Sequence, residues 1–228
     1  MIRSATIHFL RSLKENNNKE WFHDHQEAYQ AARNDFLELT QTLIDGVSEF
    51  DKGVRNSFLL PRKSIMRINR DIRFTKDKTP YNPRFFTFIS PGGRKSPYGG
   101  YYLRVMPGES YAGGGIYSPP NPILNRVRAA IDASLSEWQA LVESRELLDT
   151  YEEGVQPSGM LKRPPRGYTQ DNPAIEHLKY KGFFTRRFFP DDQVTDESFT
   201  DEVLTAWKTV HPLVDFINSA IRENNGQG

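Results

Sequence analysis

The sequence contains no cysteine. That excludes disulfide staples, thiolate zinc sites and a cysteine nucleophile. Long apolar runs are also missing, since no stretch approaches the roughly 18 consecutive apolar residues of a membrane span. The opening MIRSATIHFLRSLKENNN has its apolar positions interrupted by Arg3, His8 and Arg11, so it lacks the apolar centre of a secretory signal. A cytoplasmic protein with no membrane segment is the expectation. Neither charge is in excess: 30 basic residues face 29 acidic ones, for a net +1. A strong positive field of the kind that holds nucleic acid or membrane surfaces non-specifically is therefore absent, and any basic site has to be local. The 5 histidines are scattered. His23 and His25 would point roughly 200° apart on a helix, and His8, His177 and His211 are far from one another in sequence. With no HExxH pattern and no carboxylate cluster, no metal and no cofactor is expected. No Gly-x-Ser-x-Gly elbow marks a serine nucleophile.

Aromatics are plentiful. The 15 Phe, 10 Tyr and 3 Trp each bury roughly 150–250 Å², enough for a sizeable core. A chain of 228 residues lies below the roughly 250 residues at which single cores stop growing. One domain over 1–228 is expected, frayed over about 224–228.

Hydrophobic spacing supplies the elements. Ile7, Leu10 and Leu13 predict a first helix capped by Ser4 or Thr6 and ended by three asparagines at 16–18. Tyr29, Ala32, Phe36, Leu39, Leu43, Val47 and Phe50 recur every three or four residues, which predicts one helix from about Asn18 to Phe50. Short aromatic and β-branched runs at 64–70, 85–89 and 101–106 read as strands, and 110–117 as a weaker one. Pro122 opens another helix that breaks near Ser134. A Pro/Gly/basic loop covers 156–170, a short helix 173–179 and a strand 183–189. A final helix carries Phe199, Val203, Trp207, Val210, Val214, Ile217 and Ile221 on one face, with Pro212 expected to kink or divide it. Helices, then strands, then helices give an α+β fold: an antiparallel or mixed sheet in the middle of the chain, packed by N-terminal and C-terminal helices.

The chemistry concentrates at 67–81, which holds five cations and two carboxylates. On a regular strand, Arg67, Asn69, Asp71 and Arg73 share one face, and Met66, Ile68, Arg70 and Ile72 the other. Arginine forks fit phosphate or carboxylate oxygens and lysines add point charge. Arg67, Arg70, Arg73, Lys76 and Lys78 are therefore the expected anion ligands. A solvated network of ion pairs is the competing explanation for such a run. A second basic stretch, at 161–168, is stiffened by Pro164 and Pro165, so Lys162, Arg163 and Arg166 lose less entropy on binding; a plain connector is equally consistent with it. Three glycines at 113–115 fit either a bulge or a backbone wall against a ligand, and Gly114 is a candidate contact. Asn18 is expected to cap a helix, with Trp21 and Phe22 in the core.

Four of these stretches, NNNKEWF at 16–22, RDIRFTKDKTPY at 70–81, GGGIY at 113–117 and LKRPPRGY at 161–168, resemble in order and spacing the signatures of the domain of unknown function 2461 family. The resemblance runs from about Phe9 to Ile217, with Lys19 standing where many relatives carry arginine. It implies a stand-alone bacterial-type domain and transfers no catalytic residue. The residues thus name a site rather than a reaction. A basic and aromatic pocket for a small phosphate- or carboxylate-bearing molecule is expected from Arg67, Arg70, Arg73, Lys76, Lys78, Tyr81, Gly114, Lys162, Arg166 and Tyr168. Asp71, Tyr81 and Tyr102 are the groups available to orient a substrate or move a proton. A nucleic-acid module, with Phe74, Tyr81, Phe85 and Tyr168 stacking bases, and a protein-interaction domain without a small ligand are the alternatives.

Overall fold

The computed structural model describes residues 1–223. In chain order the elements are α1 (Ser4–Glu15), α2 (Lys19–Asp24), α3 (Gln26–Phe50), α4 (Lys52–Arg55), α5 (Pro61–Ser64), β1 (Phe85–Ile89), β2 (Gly100–Val105), β3 (Ser110–Ile116), α6 (Asn121–Ala133), α7 (Leu135–Val142), α8 (Arg145–Thr150), α9 (Ile175–Leu178), β4 (Phe183–Phe184), β5 (Arg187–Phe189), α10 (Asp191–Thr195) and α11 (Phe199–Glu223). The class is α+β, with the antiparallel sheet in mid-chain and helices at both ends. Strand order is β1-β2-β3-β4, and β5 pairs with β3. The β3–β4 register sets Gly115 opposite Phe184 and Ile116 opposite Phe183. By contact density the chain divides into two compact units, each discontinuous in sequence. The first comprises 1–94, 102–112 and 188–205; the second comprises 95–101, 113–187 and the chain from Ala206.

In the first unit the predicted helical stripe of α3 is buried at Ala32, Phe36, Leu39, Leu43 and Val47, and Phe36 stacks on Phe85 of β1 at 5.2 Å between ring centres. The helix expected over 18–50 is two helices. His25 leaves the helical region at φ −111°, ψ 27°; its ring stacks on Trp21 at 4.0 Å, and its Nδ1–H donates to the Trp21 carbonyl at 2.8 Å. The His25 N–H keeps its own bond to the Trp21 carbonyl at 3.1 Å, and at the break it is the Phe22 carbonyl that turns to a side chain, accepting from Gln26 Nε2 at 3.0 Å. Asn18 caps α2 as expected, its Oδ1 accepting the Trp21 N–H at 2.9 Å. Neither Ser4 nor Thr6 caps α1. The cap position is Arg3, and no side chain completes it. Instead Asp35 on α3 accepts both the Arg3 N–H (2.9 Å) and the Thr6 hydroxyl (2.5 Å), so a tertiary partner replaces the local one.

The strand expected over 64–70 is not continuous. Single bridges join Ile65 to Thr87 and Asn69 to Tyr81. The backbone leaves β1 after the Met66 N–H meets the Phe86 carbonyl (2.8 Å). It then pairs with 80–82 through Arg70 N–H to the Pro80 carbonyl and Asn82 N–H to the Ile68 carbonyl. Pro80, opposite Arg70, offers no N–H to return that bond, so the ladder does not extend on that side. Between β2 and β3 the turn Met106-Pro107-Gly108-Glu109 closes with a 2.9 Å bond from the Glu109 N–H to the Met106 carbonyl. Gly108, at φ 75°, supplies the left-handed third position that this turn requires.

In the second unit α6 begins beside Pro122 and stops at Ser134, as the sequence implies. Trp138 is fully buried against Phe183 (5.2 Å) and Phe216 (5.4 Å). Tyr151, equally buried, donates its hydroxyl to the Ala206 carbonyl at 2.6 Å, and burial pushes that phenol well above its ordinary range. The strand expected over 183–189 is instead two short strands, β4 and β5. Pro212 does not divide α11. Pro212 and Lys208 are both exposed, so water can take the carbonyl that loses its donor. The expected fraying over 224–228 lies outside the described residues.

Candidate functional site

The charged run at 67–81 belongs to the first unit, and much of its charge is spent on its own folding. Asp77 accepts the Thr79 N–H at 2.9 Å and the Thr79 hydroxyl at 2.8 Å, and Arg70 Nη1 meets its other oxygen at 2.5 Å. Those contacts, the Thr79 backbone first, hold the Asp77 carboxyl down at about 2. Arg70 Nη1 also donates to the Thr79 carbonyl at 3.1 Å and to its hydroxyl. Arg73 grips Asp71 with two parallel bonds of 2.9 and 2.7 Å, which lowers the Asp71 carboxyl below its usual value. Lys78 donates to the Ile72 carbonyl at 2.8 Å. The solvated ion-pair network therefore exists, and it stiffens the loop.

Beside it opens a concavity of about 530 Å³, within the first unit. Arg67, Arg70 and Arg84 supply its cations, Asn69 and Asn82 its amides, Asp71 its carboxylate, and Met66, Phe86 and Tyr111 its apolar wall. The irregular backbone explains this grouping. Strict alternation would set Arg70 opposite Arg67, Asn69 and Asp71, yet all four line one wall because the segment leaves the sheet edge after Met66. Arg73 is exposed and tied to Asp71, and Lys76 is also exposed; neither lines this concavity. Arg67 and Arg84 line the concavity with no hydrogen bond or ion pair among the described residues, and the charge of Arg67 helps to lower the Asp71 carboxyl. Arg104 reinforces the apolar wall: its guanidinium sits 4.3 Å over the Tyr111 ring, and Glu109 balances its charge at 3.1 Å.

Tyr81 has a structural task. Its ring stacks on Phe22 at 3.9 Å, while its N–H and carbonyl pair with the side chain of Asn17 at 3.0 and 2.9 Å. Two of the four motifs, NNNKEWF and RDIRFTKDKTPY, thus meet at one amide and one ring pair. A second hollow of about 650 Å³ lies along that junction, lined in part by Asn17, Lys19, Glu20 and Lys78. Tyr102 is 7% exposed and stands between Phe86 and Tyr111.

Gly114, Lys162, Arg166 and Tyr168 belong to the second unit. A Cβ on Gly114 would lie 2.6 Å from Val210 Cγ1, and one on Gly115 would lie 2.2 Å from the Phe183 carbonyl oxygen. Bare backbone there lets α11 and β4 approach β3. At 161–168, Pro165 is buried, and Gly167 at φ 93° turns the chain so that the Tyr168 N–H reaches the Pro165 carbonyl at 3.1 Å. Lys162 and Arg166 are exposed. Burial raises the Tyr168 phenol, and the Asp132 carboxylate adds to the shift. Nearby, buried Arg128 holds the end of α9, donating to the carbonyls of Leu178 (2.7 Å) and Tyr180 (2.9 Å).

Arg84, Asn82, Phe86 and Tyr111 complete the first-unit concavity and were not singled out from the sequence. The available signal was the alternation Arg84, Phe86, Phe88 against Phe85, Thr87, Ile89, which puts Arg84 on the same side as Phe86. Among the described residues no cluster of three or more His, Asp or Glu is placed to hold a metal ion, and no helix is long and apolar enough to cross a membrane. Comparison with curated proteins and with solved structures returns no match. The family model described as "Conserved hypothetical protein (DUF2461)" matches residues 5–216, most of the chain, and on that match the chain belongs to this family.

Proposed function

We propose that this protein binds a small phosphate- or carboxylate-bearing molecule in the concavity of its first unit. The observation that carries this reading is Arg67 and Arg84 on one wall, neither in an ion pair among the described residues, beside the amides of Asn69 and Asn82, with Asp71 the one carboxylate whose charge Arg67 feels there. A volume of about 530 Å³ falls in the range of small-ligand sites, roughly 300–1,000 Å³. Arg70 is already committed to Asp77 and serves to fix the wall. The reading is one of binding. Asp71 is held ionised by Arg73, which suits it to orient a ligand hydroxyl or amine rather than to donate a proton.

Calorimetric titration with phosphate, pyrophosphate and a set of dicarboxylates tests this. Hydrogen bonds to charged groups contribute about 1.5–3 kcal/mol each, so Arg67→Ala and Arg84→Ala should each weaken binding by roughly 10- to 150-fold. Arg73, Lys76, Lys162 and Arg166, expected from the sequence to share the site, enter the same titration as separate alanine variants. Silence of the wild type toward every anion at low salt, or an Arg67→Ala/Arg84→Ala double variant that binds as well as wild type, ends the reading.

A further inference from the structure

The wall of the concavity continues as one face of the sheet. Along β1 the buried residues Phe85, Thr87 and Ile89 alternate with Phe86 and Phe88, which reach solvent in part. On β2 Leu103 and Val105 are fully buried, and the side chains that alternate with them are Tyr102 and Arg104. On β3 Tyr111 stands between buried Ser110 and Ala112, and on β5 Phe188 is 54% exposed next to buried Phe189. The rings on this face form a row across four strands, in which Phe86, Tyr111 and Phe188 reach solvent and Tyr102 is buried. Phe86 stacks on Tyr102 with centres 6.2 Å apart, Tyr102 meets Tyr111 edge-on at 6.1 Å, and Tyr111 meets Phe188 edge-on at 5.8 Å. Arg67 and Arg84 border the row at the β1 end.

A row of this length exceeds what one planar ring covers. A lone phosphate or a dicarboxylate would use the arginines and leave Phe188 idle. The ligand that uses both is a chain of planar rings joined by anionic linkers. We infer that the anion of the proposed site is the backbone of a short single-stranded nucleic acid, with bases stacked on Phe86 and Phe188 and phosphates on Arg67 and Arg84. The inference rests on the anion reading of the same concavity. Aromatic rings on neighbouring strands are a recurrent platform for single strands, because every base has a π-face and the contact tolerates any sequence. The near-neutral net charge fits a site that grips few phosphates: with slopes of about −0.7 per phosphate contacted on single strands, two contacts give about −1.4 in log affinity against log salt. Duplex buries its base faces and cannot stack here.

The test is fluorescence anisotropy with fluorescein-labelled oligothymidylate and oligouridylate, over a salt series, on the full chain. Thymidine monophosphate, pyrophosphate and duplex of the same sequence serve as competitors. The expected result is that either strand binds with a slope near −1.4, more tightly than the mononucleotide, pyrophosphate or duplex. Phe188→Ala should weaken it by roughly 5- to 150-fold with the slope unchanged, whereas Arg84→Ala should flatten the slope by about 0.7. Phe188→Leu keeps apolar bulk without the ring and separates stacking from any effect on folding. Phe58→Ala, a ring 88% exposed elsewhere in the same unit, should change nothing. If pyrophosphate binds while the strands bind no tighter, or if both Phe188 variants bind as wild type, the nucleic-acid inference falls and the anion site stands. If neither pyrophosphate nor a strand binds at low salt, both fall.

Discussion

Replacing Gly114 by alanine should destabilise the protein, and trimming Val210 should relieve part of that loss. A Cβ at 114 would stand 2.6 Å from Val210 Cγ1 and 3.2 Å from Val214 Cγ2. Valine is stiff about χ1 on a helix, so the clash has to be met by moving α11 or β3. Overpacking of this kind costs about 1–3 kcal/mol; the entropy removed from the unfolded chain returns about 0.4–1 kcal/mol. A net loss of about 1–2 kcal/mol is expected. Val210→Ala alone removes two fully buried methyl groups, worth about 0.8 kcal/mol each, with a further cavity cost. In the double variant the new methyl enters the vacated space, so the combined loss should fall short of the sum by about 1–2 kcal/mol. The unfolded-state contribution cancels in this cycle. Urea titration of the four proteins measures it: with a slope of about 2 kcal/mol per molar, a 2 kcal/mol loss moves the midpoint by about 1 M. Additivity within about 0.5 kcal/mol would refute the packing account of Gly114 and return it to the candidates for ligand contact.

Asn17→Ala removes the side chain that pairs with both the N–H and the carbonyl of part-buried Tyr81. Orphaned buried backbone groups cost about 1–3 kcal/mol, so a lower urea midpoint is expected, and an unchanged one would show that water replaces the amide without loss. Asp77 has a depressed native carboxyl, about 2 against an ordinary value of about 3.9. Its contribution to stability is therefore complete above the ordinary value and disappears as pH falls toward about 2. The gap in melting temperature between wild type and Asp77→Asn should hold from neutral pH to about 5 and close below about 4; a gap that stays constant down to about pH 2.5 contradicts the assignment.

Parts of this architecture were readable from single stretches of chain. The α3 stripe, the Asn18 cap, the start of α6 beside Pro122 and its end at Ser134, and the meander of short aromatic strands all follow from neighbour sterics and from spacings of 3.6 or 2 residues. The Ser4 or Thr6 cap does not form, and Asp35, far along the chain, captures the Thr6 hydroxyl instead. The helix break at His25 leaves no mark in the apolar spacing, because it consists in the Gln26 side chain rather than its N–H meeting the Phe22 carbonyl. The strand at 64–70 is not continuous because its backbone changes partner from β1 to 80–82, where Pro80 withholds the donor that would return the Arg70 bond.

By itself the sequence determined the family, the α+β class, the helices with one apolar face, and the local wealth of arginine at 67–84. Only the tertiary structure decided which of those arginines are spent and which are available. Arg70 and Arg73 are consumed by carboxylates within their own loop, whereas Arg67 and Arg84 come to one wall through backbone bonds between 66–70 and the chain around β1. Tyr111 and Phe188 join that wall through sheet pairing. Helix and strand periodicity is a property of adjacent residues, while a site is assembled from segments distant in sequence, and its composition is fixed by hydrogen bonds that no local pattern records.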